Sequence, residues 1–129
     1  MKFEDLRVWQ KALEITVIIH NLTLTFPKEE MFILTSQIKR AADSIALNIA
    51  EGSTGNTNPE FKRFLQYATR SAVEVIACLF IGKSRNIINE ADFNKIYEEI
   101  NILIKSLQAL KNSLNKNIQS TADSRLPTK

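Results

Sequence analysis

Apolar residues return every three or four positions along most of the chain, with polar residues between them. That is the period of an α-helix with one covered side. The last such stretch is the most regular: Phe93, Ile96, Ile100, Leu103, Leu107, Leu110 and Leu114 follow at intervals of 3, 4, 3, 4, 3 and 4, a heptad seam. An earlier one reads Met31, Leu34, Ile38, Ala41 with Ala42, Ile45 and Ile49, and the next Phe61, Phe64 with Leu65, Ala68, Ala72, Val75 and Leu79. The first segment differs, because it carries two apolar stripes side by side. One is Leu6, Trp9, Leu13, Val17, His20 and Leu24; the other is Val8, Ala12, Ile15, Ile19 and Leu22. The run from Val75 to Ile81 is apolar all round, so more than one of its sides needs a cover.

Punctuation between the stripes sets the boundaries. Phe26-Pro27 ends the first helix, because the residue before proline avoids the helical region. Glu29 and Glu30 stand where the positive end of a second helix favours acids, and Gly52 is the glycine expected to close that helix in the left-handed conformation. Asn58-Pro59 reads as an N-cap followed by proline at the first helical position. Asn89, with Asp92 three residues on, opens the fourth as a variant capping box. The pattern predicts helices over about 5–24, 29–51, 59–86 and 90–116, a domain spanning residues 1–116, and a disordered polar tail over 117–129. Short connections make sequential helices antiparallel. The fold class is all-α, an up-down-up-down four-helix bundle.

Composition supports one helical domain: 129 residues with only three Gly and three Pro. The single cysteine, Cys78, lies in an apolar stretch, which suits core filling and a reducing compartment. The start, Met1-Lys2-Phe3-Glu4-Asp5, is acidic where a secretory signal is apolar, and the run ending at Ile81 is far short of a membrane span. A cytoplasmic protein without a membrane partner is expected. Net charge is +3, and from Gln37 to Asn86 seven cations (Lys39, Arg40, Lys62, Arg63, Arg70, Lys83, Arg85) face four acids, so the whole excess lies there. The bias is mild and compatible with nucleic acid.

Catalytic patterns fail one by one. No Glu-x-x-His pair exists for a carboxylate di-metal bundle, and one His with one Cys makes no zinc cluster. His20 stands thirteen residues after Arg7, too far for a helical nuclease motif, and Gly52 and Gly55 lack the Lys-Ser/Thr of a phosphate loop. The expectation is no catalytic residue, no metal and no cofactor.

The oddity is a polar line beside the second apolar stripe: Gln37, Arg40, Ser44, Asn48 and Glu51, answered on the third segment by Arg70, Ser71 and Glu74. It is read two ways. One is a solvated face with pairs such as Lys39–Asp43; the other is an inter-helix network in which Arg40 meets Glu74 and fixes register.

Three stretches resemble a known family. They are Phe3-Glu4-Asp5-Leu6-x-Val8-Trp9-Gln10-x-Ala12; the long motif from Phe26-Pro27 through Gln37, Arg40-Ala41-Ala42, Ser44-Ile45 and Asn48-Ile49-Ala50-Glu51-Gly52; and Glu60-Phe61-x-x-Phe64-Leu65-x-x-Ala68-x-x-Ser71-x-x-Glu74. Together they resemble the four-helix bundle proteins encoded in intervening sequences of bacterial 23S rRNA genes, whose relatives include the accessory variability protein of retroelements. The resemblance implies a homopentamer with a basic surface that binds nucleic acid and, in the retroelement member, a reverse transcriptase. The residues agree on self-association, since two stripes on the first helix exceed what one bundle can hide. Val8, Trp9, Ile15, Ile19, Phe80 and Ile81 are the candidate subunit contacts. Lys39, Arg40, Lys62, Arg63 and Arg70 are the candidate phosphate contacts. The functional reading is a non-enzymatic oligomer that binds RNA or DNA backbone. The alternative is an adaptor that docks a larger nucleic-acid enzyme.

Overall fold

Four helices account for nearly all of the fold in the computed structural model, which describes the backbone of residues 3–125 and the side chains of residues 3–114. They are α1 (Arg7–Thr23), α2 (Leu34–Ser53), α3 (Asn58–Ser84) and α4 (Glu90–Arg125), with single 3-10 turns at Phe3–Asp5 and Lys28–Glu30. No strand occurs among the described residues. The helices pack in ring order, α1 on α2, α2 on α3, α3 on α4 and α4 on α1, with α2 and α3 in the most extensive contact. Each pair runs antiparallel, as expected: Gln37 meets Glu74 and Gly52 meets Phe64, so residue numbers rise on α2 as they fall on α3.

The core is the set of stripes read from the sequence. Ile38, Ile45, Ile49, Leu65, Val75, Leu79, Ile100, Leu103 and Leu107 are fully enclosed, and Cys78 is buried among them. On α1 the enclosed stripe is Val8, Ala12, Ile15, Ile19 and Leu22, while Leu13, Val17 and Leu24 face outward. At roughly 1.5–3 kcal/mol for each large apolar side chain, this burial is the main stabilising term.

Several boundaries differ from the sequence expectation. α2 begins at Leu34, not near 29, because the chain leaves Pro27 in a 3-10 turn and Met31–Ile33 are turn residues. Glu30 still serves this helix start: its Oε1 accepts from the Leu34 N–H at 3.4 Å. α3 is capped by Thr57, whose hydroxyl accepts from the Glu60 N–H at 3.3 Å, so Asn58 is already helical and Pro59 takes the second position. That position also needs no amide proton, so the proline is tolerated there. Gly52 is not the left-handed residue. It remains helical and buried, and a Cβ on it would lie 2.5 Å from Phe64 Cβ, so glycine is required by the close approach of α3. The left-handed glycine is Gly55, at φ +68. Asn86, at φ +60, closes α3, and the Ile87 N–H donates back to Gly82 O at 2.8 Å. The expected Asn89 cap forms, accepting from the Asp92 N–H at 2.7 Å. α4 continues as helix through Arg125, past the end expected at 116; of the tail expected over 117–129, the side chains, and from 126 onward the backbone, lie outside those described.

Candidate nucleic-acid interface

The polar line on α2 forms a seam with α3. Ser44 Oγ and Ser71 Oγ are 2.9 Å apart, and Asn48 Nδ2 donates to Ser44 O at 2.9 Å and to its Oγ at 3.1 Å. Gln37 Nε2 donates to Glu74 Oε2. Arg40 joins Gln37, Ala41, Ser44 and Glu74 around an open cleft of about 270 Å³. The expected Arg40–Glu74 ion pair is absent, because Gln37 occupies the carboxylate and Arg40 extends into solvent. Glu51 is exposed and only its carbonyl bonds here, to Asn56 Nδ2 at 2.8 Å, so it stands outside the network. Lys39 does not pair with Asp43; that carboxylate lies 3.4 Å from His20 Nε2 on α1. The seam is polar and half-exposed, and among its side chains only Ser71 is buried.

The five candidate cations separate. Successive helical residues turn by about 100°, so Lys39 faces the α1 side of α2 while Arg40 borders the α3 seam. On α3, Arg63 and Arg70 share the outward face, and Lys62 lies toward α4. Arg63 pairs with Glu60 at 2.7 Å and its guanidinium stands 5.8 Å from the Phe64 ring centre. Lys39, Arg40, Lys62 and Arg70 make no ion pair among the described residues. The structure adds two groups that the sequence reading missed. Lys111 of α4 crosses to α3 and donates to Gln66 Oε1 at 2.8 Å, one turn from Lys62. Tyr67 is 39% exposed between Arg63 and Arg70, edge-on to Phe64 at 5.6 Å. Its spacing, four after one arginine and three before the other, was readable; the Lys111 bridge depends on tertiary register and was not.

The apolar candidates also divide. Val8, Ile15 and Ile19 belong to the core of one subunit and have no surface to offer a second, so as subunit contacts they are corrected. Their stripe is enclosed in one cluster with Ile38, Ile45 and Ile100. Trp9 is half-buried under Phe3, with the rings edge-to-face at 4.9 Å. Phe80, 51% exposed, packs edge-on to Phe93 at 4.9 Å, and Ile81 is 41% exposed on the α2 side. Leu13, Val17, Leu24, Phe32 and Ile33 are more open candidates than the three enclosed ones.

Two groups are electrostatically displaced. Burial, with the nearby Glu74 charge, pushes the Cys78 thiol up to about 11, which makes it an inert filler rather than a nucleophile. Lys11 is held above its ordinary value, chiefly by its hydrogen bond to Glu99 and against the effect of burial. No cluster of three His, Cys, Asp or Glu side chains able to hold a metal exists among the described residues.

Residues 4–109 match the family described as 23S rRNA-intervening sequence protein. The chain belongs to that family. The match takes in α1, α2 and α3 entire and α4 through Ala109, so the seam and the basic residues of α3 fall inside the family's region. A solved structure agrees with the intervening-sequence fold: a protein of unknown function from the S23 ribosomal protein family of Bacteroides thetaiotaomicron, at TM-score 0.72 and 23% identity, covering 81% of this chain and 97% of the other. No curated protein matches the chain. Among the described residues α3 alone is long and apolar enough to cross a membrane, a property it shares with core helices of bundles, and it packs here against α2 and α4.

Proposed function

We propose that this intervening-sequence protein is a non-enzymatic, oligomeric accessory bundle of the bacterial cytoplasm that binds the phosphate backbone of RNA or DNA. The observation that carries the reading is the face of α3 where Lys62 and Arg70 stand without carboxylate partners among the described residues, beside Arg63 and the Lys111 bridge. Exposed cations on a rigid helix are phosphate contacts that cost little reorganisation. Repetition of that face around a ring multiplies a modest charge, and the family resemblance supports a pentamer for that ring. The outward stripe of α1 and the apolar residues Phe80 and Ile81 supply surface for assembly.

The test is fluorescence anisotropy of the full chain with labelled RNA across a salt series. Four phosphate contacts per subunit give a slope of log affinity against log salt near −3 for single strands. Absence of binding at about 50 mM salt would refute the reading. Light scattering giving a single-subunit mass at micromolar concentration removes the oligomer.

A second reading, a protein adaptor that docks a larger nucleic-acid enzyme, has its own support. Phe32 is 88% exposed and Ile33 60% at one end of the bundle, beside a mixed cleft of about 270 Å³ lined by Leu34, Ala77, Cys78 and Ile81 together with Gln37, Glu74 and Arg85. Phe32→Ser abolishing capture of a host protein, with RNA binding unchanged, would favour it.

A further inference from the structure

We infer that the Tyr67 face of α3 is a stacking platform for single-stranded nucleic acid, with Lys62, Arg63, Arg70 and Lys111 holding the phosphates on either side of the ring. This rests on the nucleic-acid reading above and narrows it to one face and one form of ligand.

The geometry begins with Phe64. It is half-buried against Gly52, where the two helices come so close that a glycine Cβ would meet its Cβ at 2.5 Å. Phe64 is therefore fixed, and it meets Tyr67 edge-on, at 5.6 Å between centroids and 85° between planes. The Tyr67 ring is thus held on a helix by a wedged neighbour, while 39% of the residue stays open to solvent. No hydrogen bond of the Tyr67 hydroxyl is formed among the described residues, so the side chain is not kept there by a polar partner. An aromatic ring with an open side is costly to leave in water, and every base offers it a π-face.

The charges frame that ring. Arg63 precedes Tyr67 by one turn and Arg70 follows it by one, so the three share one helical face. Gln66 lies beside Tyr67 and receives Lys111 at 2.8 Å, which brings a cation from α4 across the α3 surface. Lys62 lies one turn before Gln66 on the same side. Glu60, engaged by Arg63 at 2.7 Å, and Glu74, engaged by Gln37, bound the patch at its two ends. Between those two acids α3 itself carries only positive formal charge. Cations spaced along a helix around an open aromatic are the elements of a single-strand site, whereas a duplex keeps its bases stacked inside and cannot use the ring. Gln66, the amide beside Tyr67, is engaged by Lys111, so the platform rests on stacking, which every base offers, and is tolerant of sequence.

The experiment compares binding of a labelled single-stranded oligonucleotide of roughly 12 nucleotides with a duplex of the same length, using the full chain at about 50 mM salt. Tyr67→Phe is expected to bind the single strand within about twofold of the wild type, and Tyr67→Leu about tenfold more weakly. Duplex binding should be unchanged by either, and Arg70→Gln should weaken both ligands. Tyr67→Trp should bind the single strand at least as tightly, which keeps the test open if the leucine variant folds poorly. A wild type that binds neither ligand overturns the platform together with the broader reading. A wild type that binds while Tyr67→Leu leaves single-strand affinity unchanged overturns the platform alone.

Discussion

The two apolar stripes of α1 both carry large aliphatic side chains, yet they differ in fate. Val8, Ala12, Ile15, Ile19 and Leu22 are enclosed, with Ile15 and Ile19 at zero exposure, while Val17 on the other stripe is 59% exposed and Leu24 82%. Hydrophobicity alone does not rank them. The inner stripe shares its enclosed cluster with branched aliphatics of α2 and α4, whereas Leu13, Val17 and Leu24 of the outer one stay open to solvent. The difference separates residues that fold the subunit from residues free to engage something else.

Mutations can break that contrast. The largest effect is expected from Ile15→Ala or Ile19→Ala, a loss of about 2–5 kcal/mol in denaturant unfolding. A loss near that of an exposed site would mean the stripe is not truly enclosed. Gly52→Ala asks whether the α2–α3 contact is equally unforgiving. It should cost about 1–3 kcal/mol, because the new methyl meets Phe64 Cβ at 2.5 Å in a packed seam. Thr57→Ala, which removes the observed cap of α3, should cost about 1 kcal/mol, while Asn58→Ala should cost less, the reverse of the ranking that the sequence alone suggests. The outer stripe should be nearly silent in unfolding: Leu13→Ser with Val17→Ser is expected within about 1 kcal/mol of the wild type. The same pair should lower the mass measured by light scattering if assembly uses that stripe.

The smallest effect lies on the α1 edge that faces α4, between the stripes. Lys11 is raised above its ordinary value of 10.5 by Glu99. A lysine whose folded pKa exceeds its unfolded one contributes stability that is complete below the unfolded value and lost as pH rises through the folded value. Unfolding midpoints should therefore decline on the alkaline side of 10.5, and Lys11→Met should flatten that decline by no more than about 1 kcal/mol.

Most of the fold was legible because burial imposes a period that the sequence cannot conceal. The α4 seam is enclosed from Phe93 to Leu107, and Asn89 caps it as read. The misplaced features have two causes: how close two helices come, and cap positions that differ by a single residue. Gly52 looked like a terminator because glycine after a long helix usually is one, and only the position of Phe64 reveals it as a spacer. Asn58 looked like the better cap, yet Thr57 holds it, and a one-residue offset is beyond what propensity can resolve. At the candidate site, the α3 arginines were identifiable as charges, but their separation from Lys39 and the arrival of Lys111 follow from register. Arg40 and Glu74 do share a cleft; Gln37 took the partnership expected of them.

The loop between α2 and α3 offers something practical. Gly55 is exposed and sits at φ +68, and a Cβ on it would meet nothing within 4 Å. Extra residues spliced there would displace no packed atom. A fluorophore carried on such an insertion would ride only a few residues from the start of α3. It would therefore report occupancy of the neighbouring surface while both termini remain untouched.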